Sequence, residues 1–138
     1  MIGKKIVTCF LEYNNKVLLL RRSNKVGTYR GKWASVSGHI EIGENEFSRA
    51  LIEIEEETRL NRKDVKLLAR TEPIIVPDND NNYFWEVYPF LFRTYRNDIE
   101  IDWEHTDYNW IYPSEFDKYD TVPMLYDVYK EVIKKLRY

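Results

Sequence analysis

"GHIEIGENEFSRALIEIEEETRL", residues 38–60, decides how this sequence is read. Asn45 is a good N-cap residue, and Phe47, Ala50, Leu51, Ile54 and Thr58 recur at the three- and four-residue spacing of one helical face. The pattern predicts a helix from about Asn45 to Thr58, with Glu46, Arg49, Glu53, Glu56 and Glu57 on the opposite side. Carboxylates three and four apart on a helix repel one another by roughly 0.2–0.5 kcal/mol per pair. Glu53, Glu56 and Glu57 form a triangle of this kind. Either the face is merely solvated, or a positive group is meant to sit in front of it. Mg²⁺ or Mn²⁺ fits three converging carboxylates, because such hard ions prefer carboxylate and water to nitrogen or sulfur. Glu44 stands just ahead of the helix, where its charge meets the positive end of the helix dipole. Gly38 and Gly43 bracket a looped entry that can bring backbone carbonyls and Glu41 or Glu44 near the helix.

Outward from the helix, "KKIVTCFLEYNNKVLLLRRS" reads as two strands, Lys5–Glu12 and Lys16–Arg21, joined at Asn14-Asn15, a pair suited to a tight hairpin turn. "WASVSG" is a short strand leading into the helix segment, and "DVKLLARTEPIIV" is a strand interrupted by Pro73. "YFWEVYPFLFRT" is a strongly aromatic strand interrupted by Pro89. "NDIEIDWEHTDYNWIY" holds a short strand, a charged loop and a further strand, and the last helix is expected from about Val122 with Pro123 in its first turn. Hairpins mixed with helices argue for an α+β fold with a mixed sheet over a doubly wound one.

A length of 138 residues predicts one domain, residues 1–138, around one core. The net charge of −2 has both signs interspersed, which argues against stable nucleic-acid binding. The single cysteine, Cys9, lies in an apolar run, reads as a buried inert thiol, and fits a reducing compartment. No apolar run is long enough to cross a bilayer and no signal peptide is evident, so a soluble, cytoplasmic protein without membrane contact is expected, as monomer or homodimer.

The quoted segment resembles the Nudix box: Gly, five residues, Glu, seven residues, then Arg-Glu-apolar-any-Glu-Glu-any-Gly-apolar. Gly38, Glu44, Glu53, Ile54, Glu56, Glu57 and Leu60 fall on its fixed positions. The "LLLRRS" strand, "GKWASVSGHIE" and "YNWIYPSEF" extend the resemblance over nearly the whole chain. It implies an α/β/α sandwich and Mg²⁺- or Mn²⁺-dependent hydrolysis of a diphosphate linkage in a small nucleotide: a nucleoside triphosphate, ADP-ribose or a dinucleoside polyphosphate. A catalytically impaired nucleotide-binding module is the competing reading. An isomerase acting on an isoprenyl diphosphate is a third, for which Cys9 is badly placed.

The resemblance implies Glu53, Glu56 and Glu57 as metal ligands, with a backbone carbonyl from Ser37 or Gly38. Glu53 and Glu104 are candidates for the general base. Two positions depart from the box: Ile52 replaces its arginine and Arg59 its second glycine. Arg49, four residues before Glu53, is the candidate to orient that carboxylate in place of the missing arginine. Arg21, Arg22, Arg30 and Lys32 are candidate phosphate contacts, at most one of the adjacent Arg21 and Arg22 being able to serve. Glu44 is a further contact, and Tyr83, Trp85 and Tyr88 could hold a base, with core packing as their bland alternative. His105 reads as a surface histidine.

Overall fold

The computed structural model describes residues 2–136. Asn14 and Asn15 both take positive φ, 49° and 65°, the turn geometry that matches strand twist. β1 (Ile2–Tyr13) therefore folds directly back onto β2 (Lys16–Arg22). The remaining elements are β3 (Trp33–Ala34), β4 (Val36–His39), α1 (Glu46–Thr58), β5 (Val65–Arg70), β6 (Ile74–Asp78), β7 (Tyr83–Thr94), β8 (His105–Ile111) and α2 (Leu125–Ile133). Short 3₁₀ turns lie at Arg62–Asp64, Pro113–Lys118 and Lys134–Leu136.

The strands form one eight-stranded mixed sheet, ordered β3-β2-β1-β7-β5, with β4 on β1, β6 on β7 and β8 on β2. β1 and β7 run parallel, Ile2 opposite Tyr83 through Glu12 opposite Arg93, and the other pairings are antiparallel. Side chains alternate across this sheet. Val7, Cys9 and Leu11 meet Ala50 and Ile54 of α1 on one face. Phe10, Val17 and Leu19 meet Val128 and Val132 of α2 on the other. The result is the α/β/α sandwich with a mixed sheet.

The prolines explain where the sequence-based boundaries shift. Pro73 separates β5 from β6, so the expected single strand is two. β7 instead runs unbroken through Pro89. Its outer edge is shared, β5 ending at Arg70 opposite Phe90 and β6 beginning at Ile74 opposite Val87, so the residue lacking an N–H falls in the gap between partners. "WASVSG" holds two short strands rather than one, and the short strand expected before the charged loop is absent, residues 96–104 being irregular. The last helix starts at Leu125 instead of Val122, after Met124 in a left-handed conformation (φ 61°).

Candidate active site

α1 begins as its cap residue dictates: the Asn45 side chain accepts a hydrogen bond from the Ser48 N–H at 3.0 Å. The expected placement of Glu53 and Glu57 on the side of the helix opposite its apolar stripe is overturned. They are only 7% and 1% exposed, because the stripe facing the sheet is Ala50, Glu53, Ile54, Glu57 and Thr58. That is the full i, i+3, i+4, i+7, i+8 face, wider than the apolar residues alone suggest. Gly38 of β4 makes the approach possible, since a Cβ there would overlap the Glu53 carboxyl group. The Ser37 N–H points at Glu57 Oε1, 3.4 Å away, while Glu57 Oε2 is buried without a hydrogen-bond partner. Glu56, next in sequence, is exposed at the outer side of the pair.

Arg49 ties the helix entry together. It donates to Glu53 Oε2 at 2.9 Å and to Glu44 Oε1 at 3.1 Å, with a further bond to Glu44 Oε2. Its hydrogen bonds hold the Glu44 carboxyl below the usual range. Ile52, at the box arginine's position, is 43% exposed and faces outward.

The loop before β8 brings a second set of titratable groups. It is pinned to the end of β2 by the Ser23 N–H donating to Glu104 O at 2.7 Å and Ser23 Oγ donating to Trp103 O at 3.0 Å. Burial, then the charges of Asp102 and Glu53, push Glu104 up to about 7. His105 is buried, contrary to the surface reading, with Nδ1 3.0 Å from Asp102 Oδ1 and Nε2 3.6 Å from Glu57 Oε1. Burial raises Glu57 well above the ordinary carboxylate value, and Glu53, Glu104 and Asp102 raise it further.

Among the described residues, no group of three or more His, Cys, Asp or Glu side chains stands as placed at the geometry of a metal site. The residues nevertheless fit a divalent cation bound with open positions. A buried, unpartnered carboxylate oxygen, like charges crowded around it and a glycine cradle all favour a positive guest.

Beside the carboxylates opens a cavity of about 550 Å³. Ser37, Gly38 and Glu104 border its acidic end, Arg22 and Lys25 add positive charge, and Trp85 lies further along its wall. Of the adjacent arginines, Arg22 thus faces the cavity, while Arg21 is exposed, bonded to Gly31 O at 3.1 Å and 4.0 Å from Asp107. Arg30 spends its Nε on Val26 O at 2.8 Å and does not border the cavity. Tyr83 stands behind the wall, edge-on to Trp85 with ring centroids 5.1 Å apart. Lys32 pairs with Asp120 and Tyr88 bonds Glu86, both outside the cavity.

Lys25, Tyr29 and Asp102 are site residues the sequence reading did not name. Tyr29 donates to Asp78 Oδ2 and accepts from Trp85 Nε1 at 3.0 Å, holding the loop after β2 against the cavity wall. Nothing in the sequence signals that contact, which joins residues 49 and 56 positions apart. Cys9 lies buried beneath the carboxylates, and burial, then Glu57 and Glu53, raise its thiol well above its ordinary value. That environment removes the nucleophile an isomerase would need.

A sequence model of the NUDIX domain matches residues 4–135. The chain is 40% identical over 52 residues to the m7GpppN-mRNA hydrolase NUDT17 of Xenopus laevis, an alignment spanning 38% of this chain and 18% of that protein. It is 28% identical over 123 residues to the RNA pyrophosphohydrolase of Erythrobacter litoralis, covering 78% of this chain and 74% of that one. Among solved structures, the MutT protein from Methanosarcina mazei superposes with a TM-score of 0.75 at 19% identity, covering 99% of this chain and 97% of that chain.

Proposed function

The chain belongs to the NUDIX family, and we propose that it hydrolyses the diphosphate linkage of a nucleoside diphosphate derivative with a divalent cation, Mg²⁺ or Mn²⁺. One observation carries this reading: Glu53 sits against Gly38 and Glu57, with one buried unpartnered oxygen, against Ser37, and these two residues of β4 line a cavity that also carries Arg22 and Lys25. The names of the curated relatives support pyrophosphate-bond hydrolysis as the reaction class.

Glu53 and Glu57 would hold the cation, with Glu56 from the exposed edge of the helix and a carbonyl of Ser37 or Gly38. The cation supplies the positive charge that lets carboxylates and a diphosphate share one site and that stabilises the leaving phosphate. Arg49 fixes the Glu53 carboxylate from the side, taking the orienting role of the arginine that Ile52 replaces. Glu104, facing the cavity from the pinned loop, accepts the proton of the attacking water; a base near neutrality suits that task. Arg22 and Lys25 draw the phosphates in by charge-assisted contacts. Trp85, buried but bordering the cavity and steadied by its bond to Tyr29, is the aromatic group the base would meet there.

The test is product analysis with Mg²⁺ or Mn²⁺ over a panel of nucleoside triphosphates, ADP-ribose, dinucleoside polyphosphates and a 5′-triphosphorylated oligonucleotide. Cleavage abolished by EDTA and by Glu57→Gln supports the reading and identifies the substrate. Metal-dependent nucleotide binding with no turnover of any panel member would overturn it in favour of a binding module.

A further inference from the structure

We propose that His105 is itself a ligand of the cation site, so that the metal is held by a mixed nitrogen and oxygen donor set rather than by carboxylates alone. The inference rests on the reading that Glu53 and Glu57 bind a divalent cation.

The geometry begins with Asp102. A carboxylate only accepts hydrogen bonds, so the 3.0 Å contact to Asp102 Oδ1 places a proton on His105 Nδ1. In the neutral ring this leaves the lone pair on Nε2. Nε2 points at Glu57 Oε1 across 3.6 Å, too far for the two to satisfy one another by a good hydrogen bond. It is close to the separation of adjacent donors around one ion, roughly 3.0–3.5 Å for bonds of about 2.1 Å. The His105 and Glu57 side chains are 3% and 2% exposed, so water does not readily serve either atom.

Carboxylate–histidine–metal is the arrangement in which an outer carboxylate fixes the tautomer and aim of a metal-binding imidazole. Asp102, His105 and Glu57 stand in that order, with Asp102 as the outer member. The unpartnered Glu57 Oε2 is the second donor seeking a positive neighbour in the same space. Glu104 stays free of the cation and remains the cavity-facing base. A nitrogen donor shifts preference from Mg²⁺ toward Mn²⁺ and the later transition ions.

The chain has two histidines, His39 and His105, so a histidine nitrogen on the metal is traceable. The experiment loads the protein with Mn²⁺ and records pulsed EPR on samples grown with ¹⁴N- or ¹⁵N-histidine. Directly bound histidine nitrogen is expected in the wild type and in His39→Gln, and its loss in His105→Gln. Titration should show Mn²⁺ affinity falling about 10–100-fold in Asp102→Ala. Mn²⁺ bound with no histidine coupling overturns this inference and leaves the proposed hydrolysis standing. Coupling that survives in His105→Gln also overturns it. No Mn²⁺ binding at all overturns both. Should His105→Gln fail to fold, the isotope-labelled wild-type spectrum and His39→Gln decide the matter alone.

Discussion

Two glutamates adjacent in α1 stand in opposite surroundings. Glu57 is 1% exposed with one oxygen unpartnered, its charge opposed by burial and by Glu53, Glu104 and Asp102, whereas Glu56 lies in solvent. An exposed carboxylate is hydrated and changes stability little in either direction. A buried one without a partner destabilises the fold unless a positive group offsets it. The 100° step between consecutive helical residues buries one glutamate and leaves its neighbour in solvent.

The largest effect that could break this comparison is in the pair itself. Glu57→Gln is expected to lower kcat by about 10³-fold or more while raising the Tm of the metal-free protein, since it removes a crowded buried charge. Glu56→Gln should lower metal-dependent activity yet leave metal-free stability within about 0.5 kcal/mol. Equal metal-free Tm shifts for the two variants would erase the distinction. The cradle comes next. Gly38→Ala drives a methyl group into the Glu53 carboxyl, so thermal unfolding should show a loss of about 1–3 kcal/mol together with loss of turnover.

Arg49 tests whether the clamp works from the side of the helix. Arg49→Ala should cut kcat about tenfold with a smaller change in KM, and Arg49→Lys should recover only part, because one ammonium cannot reproduce the forked contact with Glu44 and Glu53. An unchanged kcat would sink the idea.

The pH dependence of metal-free stability sharpens the contrast further. Glu104 titrates at about 7 in the fold against about 4.5 unfolded, so its contribution is full below about 4.5 and is lost as pH rises through about 7. Glu57 acts in the same direction. His105, lowered by burial from 6.5, acts oppositely and loses stability only as pH falls below that value. From pH 6.5 to 8 the carboxylates therefore dominate: Tm should fall across that window, and Mg²⁺ should flatten the slope. The smallest effect lies at the helix's far end. Arg59 sits in a left-handed conformation (φ 66°) that glycine adopts freely, so Arg59→Gly should gain up to about 1 kcal/mol with activity unchanged.

Much of this is legible in the sequence alone. Asn45, the 50/54/58 spacing and the Asn14-Asn15 turn act through neighbours in the chain, and local sequence specifies local geometry. The spacing of the box glutamates, set against its glycine, carried the family resemblance for the same reason. Pro89 misled because its effect depends on which strand lies beside it, and the gap between β5 and β6 makes it harmless. His105 misled because its position beside charged residues gave no hint of burial.

The sequence by itself determined the elements, the family and the acidic helix, all of which depend on periodicity and short-range spacing. Only the tertiary structure decided that Glu57 is buried and Glu56 is not, that Arg22 rather than Arg21 faces the cavity, and that Asp102 and His105 reach α1 from nearly fifty residues away. Burial and cross-chain distance arise when the helix and the β8 loop close on the sheet together. No window of sequence contains both partners.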